Sequence, residues 1–253
     1  MNHLLFFSIT LLFSFNIYAQ TESEIFKKKT LSNQYLLKKG LKSDLIKYDF
    51  SKLLLHTDNS MVYGFIGDNY QRMRVKIIRV KKDSLLPDTY HVYGESMVKN
   101  NIDEFNGTLK ISNIRQLKSM SFGVDDEYKN KGIKGEYVII ADYNFFENKD
   151  QSHSGAFNGV LESDFYLDKN HKVHYDDIEM NSDGYTNNQF VGQWIDYKSN
   201  LAKRCNWGDF RVPNSGDLDI GAGEFSPNDK YLKFGWQSVR DKNDKIEEAK
   251  WWE

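Results

Sequence analysis

The densest concentration of groups able to do chemistry lies in CNWGDFRVPNSGDLDIGAGEF, residues 205–225, which carries Trp207, Asp209, Arg211, Asp217, Asp219 and Glu224 among glycines at 208, 216, 221 and 223. Loops of this composition, tied down by turn residues on a rigid sheet, are common places for binding sites. Asp217 and Asp219 with Glu224 offer hard oxygen donors of the kind calcium takes. The further donors of an EF-hand loop are missing, however, and Leu218 and Ile220 alternate with the acids as they would in a buried strand. As an acid/base pair on one strand face, Asp217 and Asp219 would stand roughly 6.6 Å apart, a separation inverting glycosidases use. Any Asp-x-Asp strand gives that spacing, and no neighbouring residue makes the two environments differ as acid/base work requires. The simplest reading is structural: the acids cap turns, accept backbone N–H groups and pair with Arg211. Function is accordingly expected to be non-catalytic, with Trp194, Trp207, Asp209, Arg211, Asp217, Asp219 and Glu224 contacting a ligand and no catalytic residue, metal or cofactor assigned.

The remaining reactive residue types add little. His171 and His174 with Asp176 and Asp177 have a zinc-like look, but a spacing of three across a hairpin puts two side chains on opposite faces. Cys205 is the single cysteine, so no internal disulfide forms; Lys203 and Arg204 alone could activate it, and a small buried thiol is expected instead. No phosphate-cradling glycine loop or nucleophile elbow is present. A net charge of −2 gives no reason to expect nucleic acid as a partner.

The elements that would position these residues read as strands. In NYQRMRVKIIRV, Met73, Val75 and Ile77 alternate with Arg72, Arg74 and Lys76, which predicts a core face and a cationic face in water. Further strands are expected at TYHVYGESMV, GTLKIS, GEYVIIADYNFF, GVLESDFYLD, KVHYDDIE, QFVGQWIDY and KYLKFGWQSV, separated by turn chemistry at residues 86–88, 168–171 and 183–184. Such short connections join antiparallel neighbours. Phe-x-Gly recurs unevenly at Phe65, Phe105, Phe157 and Phe190, which argues against a propeller or solenoid. A glycine two residues after a ring shares its strand face and leaves bare backbone for a large side chain or a sharp bend, as a closing barrel requires.

Ahead of this body, residues 1–19 are an uncharged apolar run ending Ile-Tyr-Ala, which predicts a secretory signal cleaved after Ala19. Residues 20–56 are Lys-rich and are expected to form a short helix around 23–39 or an irregular leader. Residues 57–253 are then one domain, and the destination is periplasmic or secreted, with no transmembrane span once the signal is gone.

Aromatic residues make up 15% of the chain, chiefly for packing, yet Trp194, Trp207 and Trp236, or Trp251 with Trp252, could present platforms to a guest. Gly94 and Ser96 share a face with Tyr90 and Val92, so small side chains would leave space inside a barrel. The Gly192-Gln-Trp194 triplet, the Phe-x-Gly starts and the antiparallel meander resemble the calycin type of barrel, which includes lipocalins and avidins. The 205–225 stretch is also similar to sequences of exported bacterial proteins of unassigned activity. The resemblance implies an all-β antiparallel meander, closed into a barrel or strongly coiled, that binds a small apolar or glycan-like ligand. The alternatives are an envelope or secreted module whose packed barrel engages a protein partner, and a carboxylate hydrolase.

Overall fold

The structure, a computed structural model, describes residues 20–253; the signal-sequence reading of residues 1–19 lies outside the described residues. Nine antiparallel strands follow one another: β1 (Val62–Ile66), β2 (Gln71–Lys82), β3 (Thr89–Val98), β4 (Asn101–Gln116), β5 (Ile133–Glu147), β6 (Gly155–Asp168), β7 (Val173–Tyr175), β8 (Asn187–Asp196) and β9 (Ala202–Asp209). Eight of them close into an up-and-down barrel. Sequential hairpins run from β1 to β6, β6 pairs β8, β8 pairs β9, and β9 returns to β1; β7 is a side strand on β6. The all-β, antiparallel, closed architecture is therefore the expected one.

Closure depends on bare backbone at the places the Phe-x-Gly pattern marks. Gly107 on β4, Gly159 on β6 and Gly192 on β8 sit where an added Cβ would strike the neighbouring strand's backbone. Gly159 and Gly192 face each other across the ladder, and the Tyr143 ring from β5 occupies the space they leave. Gly67 differs, lying in the β1–β2 turn at φ 78°. The interior between these levels is filled by rings: Phe190 stacks on Trp207 at 4.4 Å, Phe105 on Phe145 at 5.2 Å, and Tyr143 meets Trp207 edge-on at 5.3 Å. The space expected at Gly94 is taken by the Phe105 ring.

One end of the barrel is stopped. After helix α1 (Glu22–Leu31), begun by a Thr21/Glu24 capping box, the chain crosses the end where β2 leads into β3 and inserts Leu45, Phe50 and Leu53 into the core. Phe50 packs on Phe165 at 5.0 Å and its N–H donates to the Tyr90 hydroxyl, while Lys82 donates to the carbonyls of Ile46 and Tyr48. Helix α1 lies outside the wall, its Lys27 paired with Asp142 and its Glu22 with Arg204. Residues 20–56 are thus part of the folded body.

Two expectations need correction. Arg72 and Arg74 are 7% exposed rather than solvated, because the C-terminal segment covers the outer face of β2. Arg72 holds Glu247 through both terminal nitrogens and lies over Trp236, and Arg74 donates to the carbonyls of Ile246 and Glu247. The KYLKFGWQSV segment is no strand: Asp229–Phe234 is a 3-10 turn capped by Asn228, Gly235 turns left-handed at φ 98°, and Gln237–Arg240 is a helical turn. With β1 and β9 sealing the ring, the barrel wall of the described residues offers it no edge to join. Its Trp236 instead packs with Phe65, Leu218 and Phe225 against the outer wall.

Candidate functional site

The seven residues singled out from sequence are not brought together. Trp207 is in the ring-filled interior at 2% exposure. Asp209 is buried toward the stopped end, where it accepts from Thr57 (2.7 Å), Tyr175 (2.9 Å) and Asn188 (2.7 Å); burial pushes its carboxyl up to about 6 against those bonds. Arg211 clasps Asp219 at 2.7 Å and the carbonyls of Gly221, Ala222 and Gly223, forming a knot on the outer wall. Asp219 also accepts from the N–H groups of Gly221 and Ser226, whereas Asp217 turns to Lys230 and Tyr231. The two acids have separate partners and do not converge, and exposed Glu224 is 3.5 Å from Lys242. Of the histidines, His171 occupies the β6–β7 turn and His174 pairs with Asp168 at 3.1 Å. Cys205 is fully buried, its sulfur 3.4 Å from that of Met73, and burial holds its thiol well above the usual range.

Trp194 alone of the seven lines the open end. There the four hairpin connections at 67–70, 99–100, 148–154 and 197–201 frame a cavity of about 810 Å3. Its walls include Ile66, Val98, Phe157 and Trp194, and its floor includes Ser96, Asp103 and Glu147. The floor is assembled by register. Asp103 on β4 faces Ser96 on β3, and Phe105, two residues on, faces Glu147 on β5, so all three polar groups continue the inward face of their strands.

Glu147 is 5% exposed and takes three donors: the Ser96 hydroxyl on Oε1 at 2.7 Å, and the Gly155 N–H (2.7 Å) and Trp194 indole N–H (2.9 Å) on Oε2. Burial nevertheless dominates and pushes its carboxyl up to about 7, with the Asp103 charge acting in the same direction. Asp103 is 3% exposed and also raised by burial; Asn101 donates to its Oδ2, and its Oδ1 has no partner. Exposed Lys99, His153 and Lys203 stand at the rim, together with Asp68, Asp196 and Arg204. Lys203 Nζ lies 5.3 Å from the Trp194 ring centroid, and Asp196 caps its own turn through Lys198 and Ser199.

Ser96 faces the interior as the sequence predicts; Glu147 and Asp103 went unrecognised in the sequence, although a signal for them exists. Tyr137, Ile139, Ala141, Tyr143 and Phe145 set the inward phase of β5, and Glu147 is the next residue in that phase; Asp103 precedes Phe105 in the same way on β4. A carboxylate in phase with a core face is a buried polar group that needs a reason. Among the described residues, no group of three or more His, Cys, Asp or Glu side chains is arranged to hold a metal ion. No family model, curated protein or solved structure matches the chain.

Proposed function

We propose that this protein is a non-catalytic binding barrel that takes a small apolar or glycan-like guest into its open mouth, and that it works in the periplasm or outside the cell after export. The observation that carries the reading is the cavity itself: about 810 Å3, walled by Trp194 and Phe157 and floored by buried carboxyls, at the one barrel end that the 41–57 segment does not fill. That volume lies within the usual range of small-molecule sites, whose linings are largely apolar with a few convergent polar groups. An eight-stranded meander stopped at one end and hollow at the other supports the likeness to calycin-type barrels, in which the interior holds one small ligand. The protein-interaction alternative is favoured by the ring-filled middle of the barrel, but it leaves the open mouth without a use. Among the described residues no helix is long and apolar enough to cross a membrane.

Native mass spectrometry of protein purified from the cells that make it tests the reading. The expected result is a retained guest in the wild type that is lost when Ser96→Trp fills the floor, with Val98→Trp nearer the rim as a second obstruction should the first disturb folding. A bare mass for the wild type, or a guest unaffected by both folded variants, would overturn it.

A further inference from the structure

The floor of the mouth holds more acceptor capacity than the chain satisfies. Oε2 of Glu147 takes two donors and Oε1 only one, leaving an acceptor position open, while Asp103 Oδ1 has none. Neither carboxyl forms an ion pair with a lysine or arginine among the described residues. Two acids on adjacent strands, walled by Trp194, Phe157, Val98 and Ile66, therefore share a buried floor that no lysine or arginine contacts, the cations Lys99, Lys203 and Arg204 standing at the rim. Buried charge of this kind is costly unless something arriving in the cavity compensates it. A positive ligand meets that need by Coulomb attraction as well as by donating. The Trp194 face adds an attractive surface for a cation or a ring.

We propose that the mouth selects small guests bearing an ammonium group, seated over Asp103 and Glu147 with the guest's apolar or sugar body against Trp194 and Phe157. The inference rests on the mouth being the binding site. A divalent metal is the poorer occupant, because calcium and magnesium want oxygen ligands on most sides and no group of three or more His, Cys, Asp or Glu side chains among the described residues is arranged to hold one. A neutral sugar is also poorer, since it leaves the two carboxyls uncompensated.

Calorimetric titration of the whole protein with two matched pairs tests this: cyclohexylmethylamine against cyclohexylmethanol, and a 2-aminoethyl glucoside against the 2-hydroxyethyl glucoside. At pH 8 at least one amine is expected to bind about tenfold or more tighter than its neutral twin, the difference that one partly screened charge contact supplies. The pair that shows the preference identifies the body, apolar or sugar. Asp103→Asn and Glu147→Gln, which keep shape, should erase the preference, and Ser96→Trp should abolish binding of both members. The amine's affinity should also fall as the pH is lowered from 8 to 6 while its twin's stays flat. The titratable and charged groups around Glu147 are Asp103, His153 and Tyr197, with Lys99, Lys203, Arg204, Asp68 and Asp196 at the rim and the buried Cys205 thiol behind, so the titration is repeated in His153→Gln. Equal binding of amine and twin, both blocked by Ser96→Trp, would sink charge selection and leave the mouth intact. Amine binding untouched by Ser96→Trp would remove both claims. Failure of both amines to bind at millimolar concentration, or displacement of the bound amine by calcium, would overturn the proposal.

Discussion

The Tyr143 ring shows how single atoms decide whether this barrel closes. Its hydroxyl would lie 2.5 Å from a Cβ on Gly192 and 2.7 Å from one on Gly159, and the Asn158 carbonyl is nearer still to the former. A methyl group there meets backbone on one side and a fully buried ring on the other, so neither can yield cheaply. Gly192→Ala is expected to cost about 2–4 kcal/mol, as overpacking does when the backbone must shift. Gly184→Ala serves as the contrast. Its Cβ would meet nothing within 4 Å, and only its φ of 78° opposes the change, at about 1 kcal/mol. Urea midpoints of the two variants measure the difference, and equal midpoints would contradict a tightly packed interior.

At the scale of elements, the outer face of β2 shows why alternation is an incomplete guide. The period-two pattern correctly puts Met73, Val75 and Ile77 inside, but whether Arg72 and Arg74 meet water depends on residues more than 160 positions away. Nothing local to NYQRMRV announces that cover. Glu247→Ala leaves Arg72 charged and buried without its partner, and is expected to cost about 3–5 kcal/mol by thermal or urea unfolding. Replacing both, as Arg72→Met with Glu247→Leu, should recover most of that loss; a double variant as weak as the single one would show that the cover depends on more than this pair. The same non-locality governs how far the other elements can be read from sequence. The long strands β2 to β6 and β8 were legible because each carries its own inward phase. β9 was hidden by Gly208, Asp209 and the turn residues after it, which made the region from Cys205 onward read as loop. Acidic residues drew attention to residues 217–224, yet their chemistry is spent on Arg211, Lys230 and Lys242. Glu147 ends the mainly apolar β5, and Asp103 stands beside Glu104 in the mostly polar β4; each looks like ordinary strand-end polarity until the register shows which way it points.

The molecule as a whole buries acids on more than one side. Burial pushes Glu136 and Glu147 up to about 7, pushes Asp176 and Asp209 up to about 6, and holds Asp164 well above its usual range. A carboxyl raised in the folded state binds its proton more tightly there than in the unfolded chain, so acidification through pH 7 to about 4 favours folding. Other acids work the opposite way. Bonds from His91 and the N–H groups of Leu86 and Leu85 hold Asp83 down to about 2, and Glu247, although burial opposes it, is held low by Arg72. Their contribution is lost below about pH 4. Calorimetry should accordingly find the melting temperature rising from pH 8 to a maximum near pH 5 and falling in stronger acid; a maximum at or above pH 7 would mean that water reaches these buried groups. The seam has a further implication, for the order of events during biosynthesis. Because Val62–Ile66 must zip against Cys205–Asp209, the first strand to leave the ribosome is among the last to find its second neighbour. Until about four-fifths of the polypeptide has been made, the nascent sheet carries two raw margins open to wrong partners, and its survival in that interval depends on whatever shields them.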